Sequence, residues 1–212
     1  MRRTRRRHVL AWGVTAPLLV SGCAQLLVGS GPPSPTVYRL TPKVELPPRL
    51  PRVGWVLVVA EPTAEGALDT TRVAILADGA RVSRLADVAW SDRPTAMLQL
   101  AMVQAFQDSG RLSAVGTDRD DLRGSFLLQA TLDAFQLEPE ATGYVADVRL
   151  HARLLRLPSR EVADSRSFAH RVAAATGTND AAIAAFNTAV GSLLQELVVW
   201  TVAGKSGNKP RR

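Results

Sequence analysis

The chain is poor in the side chains that most chemistry needs. It has one cysteine and three histidines in 212 residues, and aromatic residues make up 5%. A lone cysteine has no internal disulfide partner. Beyond the first 22 residues the histidines are His151 and His170, and they stand apart from each other in sequence. His151 alternates onto the polar side of a strand pattern and reads as a solvated residue, and His170 is equally isolated. There is no Gly-x-Ser-x-Gly elbow, no His-Glu-x-x-His pair and no phosphate-cradling glycine loop. Asp118, Asp120 and Asp121 fall in a polar stretch where a solvated turn is their natural place, and no ligand set has the spacing of a metal site. The expectation is a protein without a catalytic centre, metal or cofactor.

The charge balance misleads at first sight. Lys and Arg number 26 against 19 acidic residues, and the pI is near 10.6. Five of those arginines are Arg2, Arg3, Arg5, Arg6 and Arg7, so removing the first 22 residues leaves 21 basic against 19 acidic. Further basic residues sit in the C-terminal stretch. The body is close to neutral and carries no basic stripe interleaved with aromatics, which argues against nucleic acid as a partner.

What the N-terminus does contain is ordered. The arginines are followed by an apolar run, Val9–Val20, of twelve residues. That is too short to span a bilayer, which takes roughly 20. Then comes Val20-Ser21-Gly22-Cys23, small residues leading into the cysteine. This is the layout of an export signal with a lipidation site at its end: residues 1–22 are expected to be removed and Cys23 to carry acyl chains. At about 0.8 kcal/mol per buried CH₂, two or more chains hold a protein stably at a membrane. Arg6-Arg7-His8-Val9-Leu10 also resembles a twin-arginine signal, a match that a run of arginines produces easily. Ala24, where aspartate would resemble an inner-membrane retention signal, favours the outer membrane.

Residues 23–52 are rich in proline, glycine and serine and read as a tether of about 30 residues, with a random-coil span of roughly 30 Å. Tyr38-Arg39-Leu40 is the stretch that could instead pair as an edge strand. Residues 53–203 suit one domain with a real core, and 204–212 read as a disordered basic tail.

Within the body, Val53–Ala60 reads as a strand buried on both faces. Val73–Leu76 and Arg81–Val88 flank the turn signal Asp78-Gly79 and read as a hairpin. Ser91 or Asp92 caps a helix with Pro94 in its first turn, carrying Met97, Leu98, Ala101, Met102, Ala105 and Phe106 on one face and ending at Gly110. Ser125–Leu137, Tyr144–Leu157 and Glu161–Val172 read as an antiparallel meander; in the second, Tyr144, Ala146, Val148, Leu150, Ala152 and Leu154 face one way and Asp147, Arg149, His151 and Arg153 the other. Thr178-Asn179-Asp180 caps a closing helix with the stripe Ile183, Phe186, Val190, Leu193, Leu194, Leu197 and Val198. The expected fold class is α+β: an antiparallel sheet of about six strands with two amphipathic helices packed on one face. Trp55 and Trp200 are expected in the core. Trp90, just before the helix cap, could staple the helix entry or stand at an interface.

The order of short motifs carries a resemblance. Val20-Ser-Gly-Cys23 and a proline-rich stretch precede Tyr38-Arg39-Leu40-Thr41. Val58-Val59-Ala60-Glu61-Pro62, Leu68-Asp69-Thr70-Thr71-Arg72-Val73-Ala74, Trp90-Ser91-Asp92-Arg93-Pro94 and Ala105-Phe106-Gln107-Asp108-Ser109-Gly110 follow. Together they resemble the ABC-type transport auxiliary lipoprotein family, the PqiC-like group. The resemblance implies a non-catalytic component of an MCE-type lipid transport system, anchored in the outer membrane. Its implied partners are a periplasmic MCE-domain protein and the associated ABC transporter or permease, with a homo-oligomeric ring in some members. It implies no cofactor, and it singles out Tyr38, Leu40 and Trp90 as contact or packing positions. The residues alone leave room for a lipid carrier with its own apolar cavity, or for an outer-membrane assembly or plug lipoprotein.

Overall fold

One long strand organises the chain. The computed structural model describes residues 34–204; Cys23, the signal and the basic tail lie outside them. The strands are β1 (Thr36–Tyr38), β2 (Val56–Val59), β3 (Thr63–Ala64), β4 (Arg72–Ala77), β5 (Arg81–Trp90), β6 (Ala114–Thr117), β7 (Phe126–Glu140), β8 (Gly143–Arg156) and β9 (Val162–Ala173). The helices are α1 (Pro94–Ser109) and α2 (Asn179–Ala203). The central strand, β7, pairs along one edge with β8, which pairs in turn with β9, all antiparallel. Along its other edge β7 meets β2, β3 and β4 one after another, all parallel to it. Outside β2 lies β6, also parallel; outside β4 lies β5, antiparallel, and then β1, parallel to β5.

The sheet therefore has nine strands and is mixed, a correction to the expected antiparallel sheet of about six. The meander and the Asp78-Gly79 hairpin form as expected, with both turn residues at positive φ. The additional strands have two to four residues, too few for a period-2 pattern to stand out, and their parallel partners are remote in sequence.

Alternation in β7 changes phase part-way. Leu128, Ala130 and Leu132 face the main core, and so do Phe135 and Leu137. A bulge between Leu132 and Ala134 provides the slip, since one extra residue re-aims every side chain beyond it.

Both helices contribute to the same core cluster and touch each other, α1 lying by β2 and β6 and α2 by β8 and β9. Pro94 opens α1, where its missing N–H costs nothing, and Gly110 closes it in the left-handed conformation at φ 58°. The cap residue of α1 is Arg93, which makes no side-chain cap bond. Thr178 caps α2, its hydroxyl accepting from the Ala181 N–H. By length and composition α2 could cross a membrane, with mean hydropathy 1.5, but 61% of that window is buried within the domain. This is the signature of a core helix, packed through Phe186, Val190, Leu194 and Leu197. On the helix-free face, Val58, Leu127 and Leu155 form a small second cluster, so β2 is buried on both faces as its sequence predicts.

The greatest departure concerns the expected tether. From Ser34 onward it belongs to the folded body. Beyond β1, residues 39–46 run as an extended strap that pairs with no strand. Leu40, Val44 and Leu46 turn inward against the core while Arg39, Thr41, Lys43 and Glu45 face out. Leu50 beyond the strap is buried. Gly191 of α2 sits directly beneath Lys43, where a Cβ would run into the Lys43 carbonyl oxygen. The helix has no side chain here because the strap's backbone fills that space.

Candidate functional site

The strap and α1 flank a groove. It is about 740 Å³ in volume and open to solvent. Leu40, Pro42, Val44 and Leu46 form one wall and Met97, Leu100, Ala101 and Ala105 the other; Arg39, Asp92 and Asp108 stand at its rim. Leu100 is 65% exposed on the solvent face of α1, beside the polar Gln104, Gln107 and Asp108. A single exposed leucine is ordinary on a protein surface; here it adds to the apolar lining that Pro42, Leu46 and Met97 give the groove. A shallower groove of about 430 Å³ lies on the strap's other side, against Asn187, Thr188 and Ser192 of α2.

Two hydrogen bonds fasten the strap's beginning. The Tyr38 hydroxyl donates to Asp180 Oδ1 at 2.6 Å, and the Thr41 N–H donates to Asn187 Oδ1 at 2.8 Å. The Asp180 carboxylate, accepting that proton, holds the Tyr38 phenol above its ordinary range. Tyr38 and Leu40 thus stand at the strap and groove, with Tyr38 half-buried against α2 and Leu40 in the groove wall. Trp90 is a core residue, 2% exposed. Its ring meets Phe186 edge-on at 5.2 Å and Phe135 at 5.6 Å; of the two roles open to it, the structure shows packing. Trp55 and Trp200 also pack on aromatics, Phe126 and Phe168 respectively.

The motifs that carried the resemblance converge in space. Arg93 at the head of α1 donates to Glu61 Oε1 at 2.8 Å and Asp69 Oδ2 at 2.6 Å. The Thr95 hydroxyl, almost fully buried, lies 2.7 Å from Asp69 Oδ1 and 3.1 Å from Glu61 Oε1. Arg119 reaches the other oxygen of Glu61 at 2.8 Å. Burial alone would raise the Asp69 carboxyl, but the Thr95 hydroxyl and Arg93 outweigh it and hold Asp69 below its usual range. This network ties the segments after β2, before β4 and before α1 to one another. Glu61, Asp69 and Arg93 fall in separate sequence motifs that only the fold joins; the alternation of acidic and basic residues among those motifs is the available signal.

The remaining candidates have structural duties. Asp118 accepts from Gln99 Nε2, and Asp120 accepts from the Thr117 N–H and hydroxyl. His151 Nδ1 lies 2.9 Å from Ser167 Oγ, and His170 Nε2 lies 3.3 Å from Glu196. Among the described residues, no three His, Cys, Asp or Glu side chains gather in a way that would hold a metal ion.

The class to which this architecture belongs is defined by its structural likenesses. The chain is similar to protein XCC0632 from Xanthomonas campestris, of the DUF330 family, at 28% identity and TM-score 0.77, covering 82% of this chain and 98% of that one. A second solved structure, an uncharacterised protein, matches at 11% identity and TM-score 0.62 over 78% of this chain and 97% of the other, which shows the fold alone. A PelC dodecamer from Paraburkholderia phytofirmans is more distant, at 9% identity and TM-score 0.47 over 71% and 92% of the two chains. No curated protein matches the sequence. The family model for the ABC-type transport auxiliary lipoprotein component matches residues 38–198. The chain belongs to that family, one of cell-envelope transport auxiliary lipoproteins and not a family of enzymes. The match begins at Tyr38, the last residue of β1, and so takes in the strap.

Proposed function

We propose that this protein is a lipid-anchored, non-catalytic adaptor in an MCE/ABC-type lipid transport system across the cell envelope. In this reading the chain is exported, cut before Cys23, acylated on that cysteine and held at the outer membrane facing the periplasm. There it binds a periplasmic MCE-domain protein served by an ABC transporter or permease, and it assembles as a homo-oligomeric ring. The observation that carries the reading is the family match over residues 38–198, nearly the whole described body. The groove supports it as a place for a partner, since Leu100 and the strap offer an apolar trough with a charged rim. Interfaces of this composition, an apolar centre with a polar surround, are the usual way one protein recognises another. The carrier alternative gains no observation in its favour: the space between sheet and helices is filled by Phe106, Phe135, Phe186 and their neighbours, each at most 1% exposed.

The test is crosslinking in intact cells, capture of the acylated protein and mass spectrometry of what comes with it. An MCE-domain protein and its permease are expected among the enriched partners. Failure to recover either with crosslinkers of differing chemistry and reach would sink the reading.

A further inference from the structure

We infer that the end of the domain where β2, β6 and β7 begin and β8 ends is a docking face for an anionic phospholipid surface. The inference goes beyond the adaptor reading and does not depend on acylation of Cys23. It follows from where unpaired arginines gather and what stands between them.

Backbone pairing gathers the segments of this end into one rim. Val56 at the start of β2 is opposite Ala114 of β6, Leu57 is opposite Phe126 of β7, and Phe126 is opposite Arg156 at the end of β8. Hydrogen bonds continue the rim beyond the strands. The Val53 N–H donates to the Arg111 carbonyl at 2.8 Å, and the Ser125 N–H to the Val56 carbonyl at 2.9 Å. The Leu157 N–H donates to the Ser125 carbonyl at 3.0 Å, and the Arg156 N–H to the Glu161 carbonyl at 2.9 Å across the β8–β9 turn. Arg111 reaches back to the Pro48 carbonyl at 3.2 Å. From β8 to β6 the rim covers three strand spacings, about 15 Å.

Six arginines stand on this rim or within a few residues of it: Arg49, Arg52, Arg111, Arg123, Arg156 and Arg160. Arg111 and Arg156 are half-buried and the other four are exposed. None of them forms an ion pair among the described residues, whereas Arg81, Arg93, Arg119, Arg149, Arg166 and Arg171 elsewhere all do. The carboxylates at this end are Asp108, Asp121 and Glu161, so six positive charges against three negative leave an excess of three. Asp108 already accepts from Gln104. The other end of the sheet, reached along the 14 residues of β8, has the opposite sign. There the carboxylates Asp87, Glu140 and Asp180 have no ion pair, and Asp180 takes only the Tyr38 hydroxyl.

What this face fits is a plane of phosphates. The guanidinium fork matches phosphate oxygens in pairs, and a cluster of about four to eight basic residues is the size that binds an anionic leaflet. Neither groove beside the strap reaches this end. Its charges are spread along a rim and not gathered round one cavity, as a single bound anion would need. Between them stand apolar side chains: Leu122, 37% exposed, adjoins Arg123, and Val162, 55% exposed, lies two residues from Arg160. Each alone is ordinary on a surface. Set among arginines, they supply the apolar contact that the boundary between headgroups and acyl chains rewards and that a patch of hydrated protein carboxylates would not.

The test places one fluorophore on the full chain, either at Ser159→Cys in the β8–β9 turn or at Ala80→Cys at the other end; both positions are exposed. The chain is mixed with phosphatidylcholine vesicles, with and without phosphatidylglycerol, each containing a headgroup spin-labelled lipid. Phosphatidylglycerol is expected to raise quenching at residue 159 several-fold and to leave residue 80 unchanged. Raising salt from about 0.1 M to about 1 M shortens the Debye length from about 10 Å to about 3 Å and should abolish the rise. Arg49→Gln, Arg52→Gln and Arg160→Gln combined should weaken the contact by roughly fivefold per arginine. Tm should not change, since all three are exposed and unpaired. No rise at 159, or an equal rise at 80, overturns the inference; so does a rise that survives both salt and the triple substitution. An acidic protein as the true occupant would show as no response to phosphatidylglycerol, with salt-sensitive crosslinks from residue 159 to a protein in cells. Cys23 is the only native cysteine, so intact mass after labelling reports on it. Two fluorophores per chain would mean a free Cys23, which overturns the anchor reading alone, and the quenching is then read in Cys23→Ser.

Discussion

Replacing Gly191 with alanine distinguishes a docked strap from a free tether by the sign of the effect. Gly191 lies inside α2, where glycine costs about 1 kcal/mol relative to alanine. If residues 39–46 hung free, Gly191→Ala would stabilise the domain by about that amount. In the structure the new Cβ would lie well inside van der Waals contact of the Lys43 carbonyl oxygen, a backbone atom that no rotamer change can move. Overpacking of this kind costs typically 1–3 kcal/mol, and the severity of the overlap puts this case near the top of that range. The helix gain offsets about 1, leaving a net loss of roughly 2 kcal/mol. For a domain of this size that lowers Tm by about 4–8 °C. Hydrogen exchange should locate the damage in residues 39–50, with faster exchange at the Thr41 amide, whose acceptor is Asn187 on the same helix. A variant that melts above the wild type, with unchanged exchange along the strap, would refute the argument.

Leu100→Arg should leave Tm unchanged within about 0.5 kcal/mol of stability, as for other exposed sites, yet reduce partner recovery in the crosslinking capture; normal recovery would remove the groove from the interface. Asp69→Asn tests the ion network by pH. Because Asp69 titrates below its usual range, its contribution is present above the unfolded-state value, near 3.8, and is lost as pH falls through the folded one, so the Tm gap from wild type should narrow only in strong acid. A gap constant from pH 7 to 2 would contradict this. Asp147 behaves oppositely: buried at 1% exposure, its carboxyl is raised by that burial more than Arg149 and Arg171 lower it. Its ionisation therefore opposes folding above the usual carboxylate range, and Asp147→Asn should raise Tm at neutral pH with the gain fading in acid. A lower Tm at pH 7 would show that the arginine pairs outweigh burial. Cys23→Ser should release the protein from membranes in fractionation while the purified chain keeps the wild-type Tm; tight retention would mean that protein contacts hold it there.

The parts of the fold visible in the sequence are those with strong local patterns. The Asp78-Gly79 turn, the alternation in β8, the Pro94 start and Gly110 stop of α1 and the Thr178 cap each state their structure within a few residues. What escaped depends on distant partners. β1, β3 and β6 are short and pair across long separations, and the bulge in β7 hid the phase change between Leu132 and Phe135. The strap looks like tether because its prolines outweigh a real period-2 pattern. Leu40, Val44 and Leu46 do alternate with polar residues, but without a ladder partner that pattern has no meaning until α2 and its bare Gly191 are in view. Of the three positions expected as contact or packing sites, Tyr38 and Leu40 stand at the strap and groove, and Trp90 packs in the core.

The strap also carries more than its own packing. The hydrogen bonds of Tyr38 and Thr41 to α2, the buried Leu50 and the missing side chain at position 191 draw residues 39–46 onto the helices. The same strap forms one wall of the groove that α1 closes from the other side, so the contacts that complete the fold at this edge also shape the groove, and a substitution that frees the strap removes that wall with it.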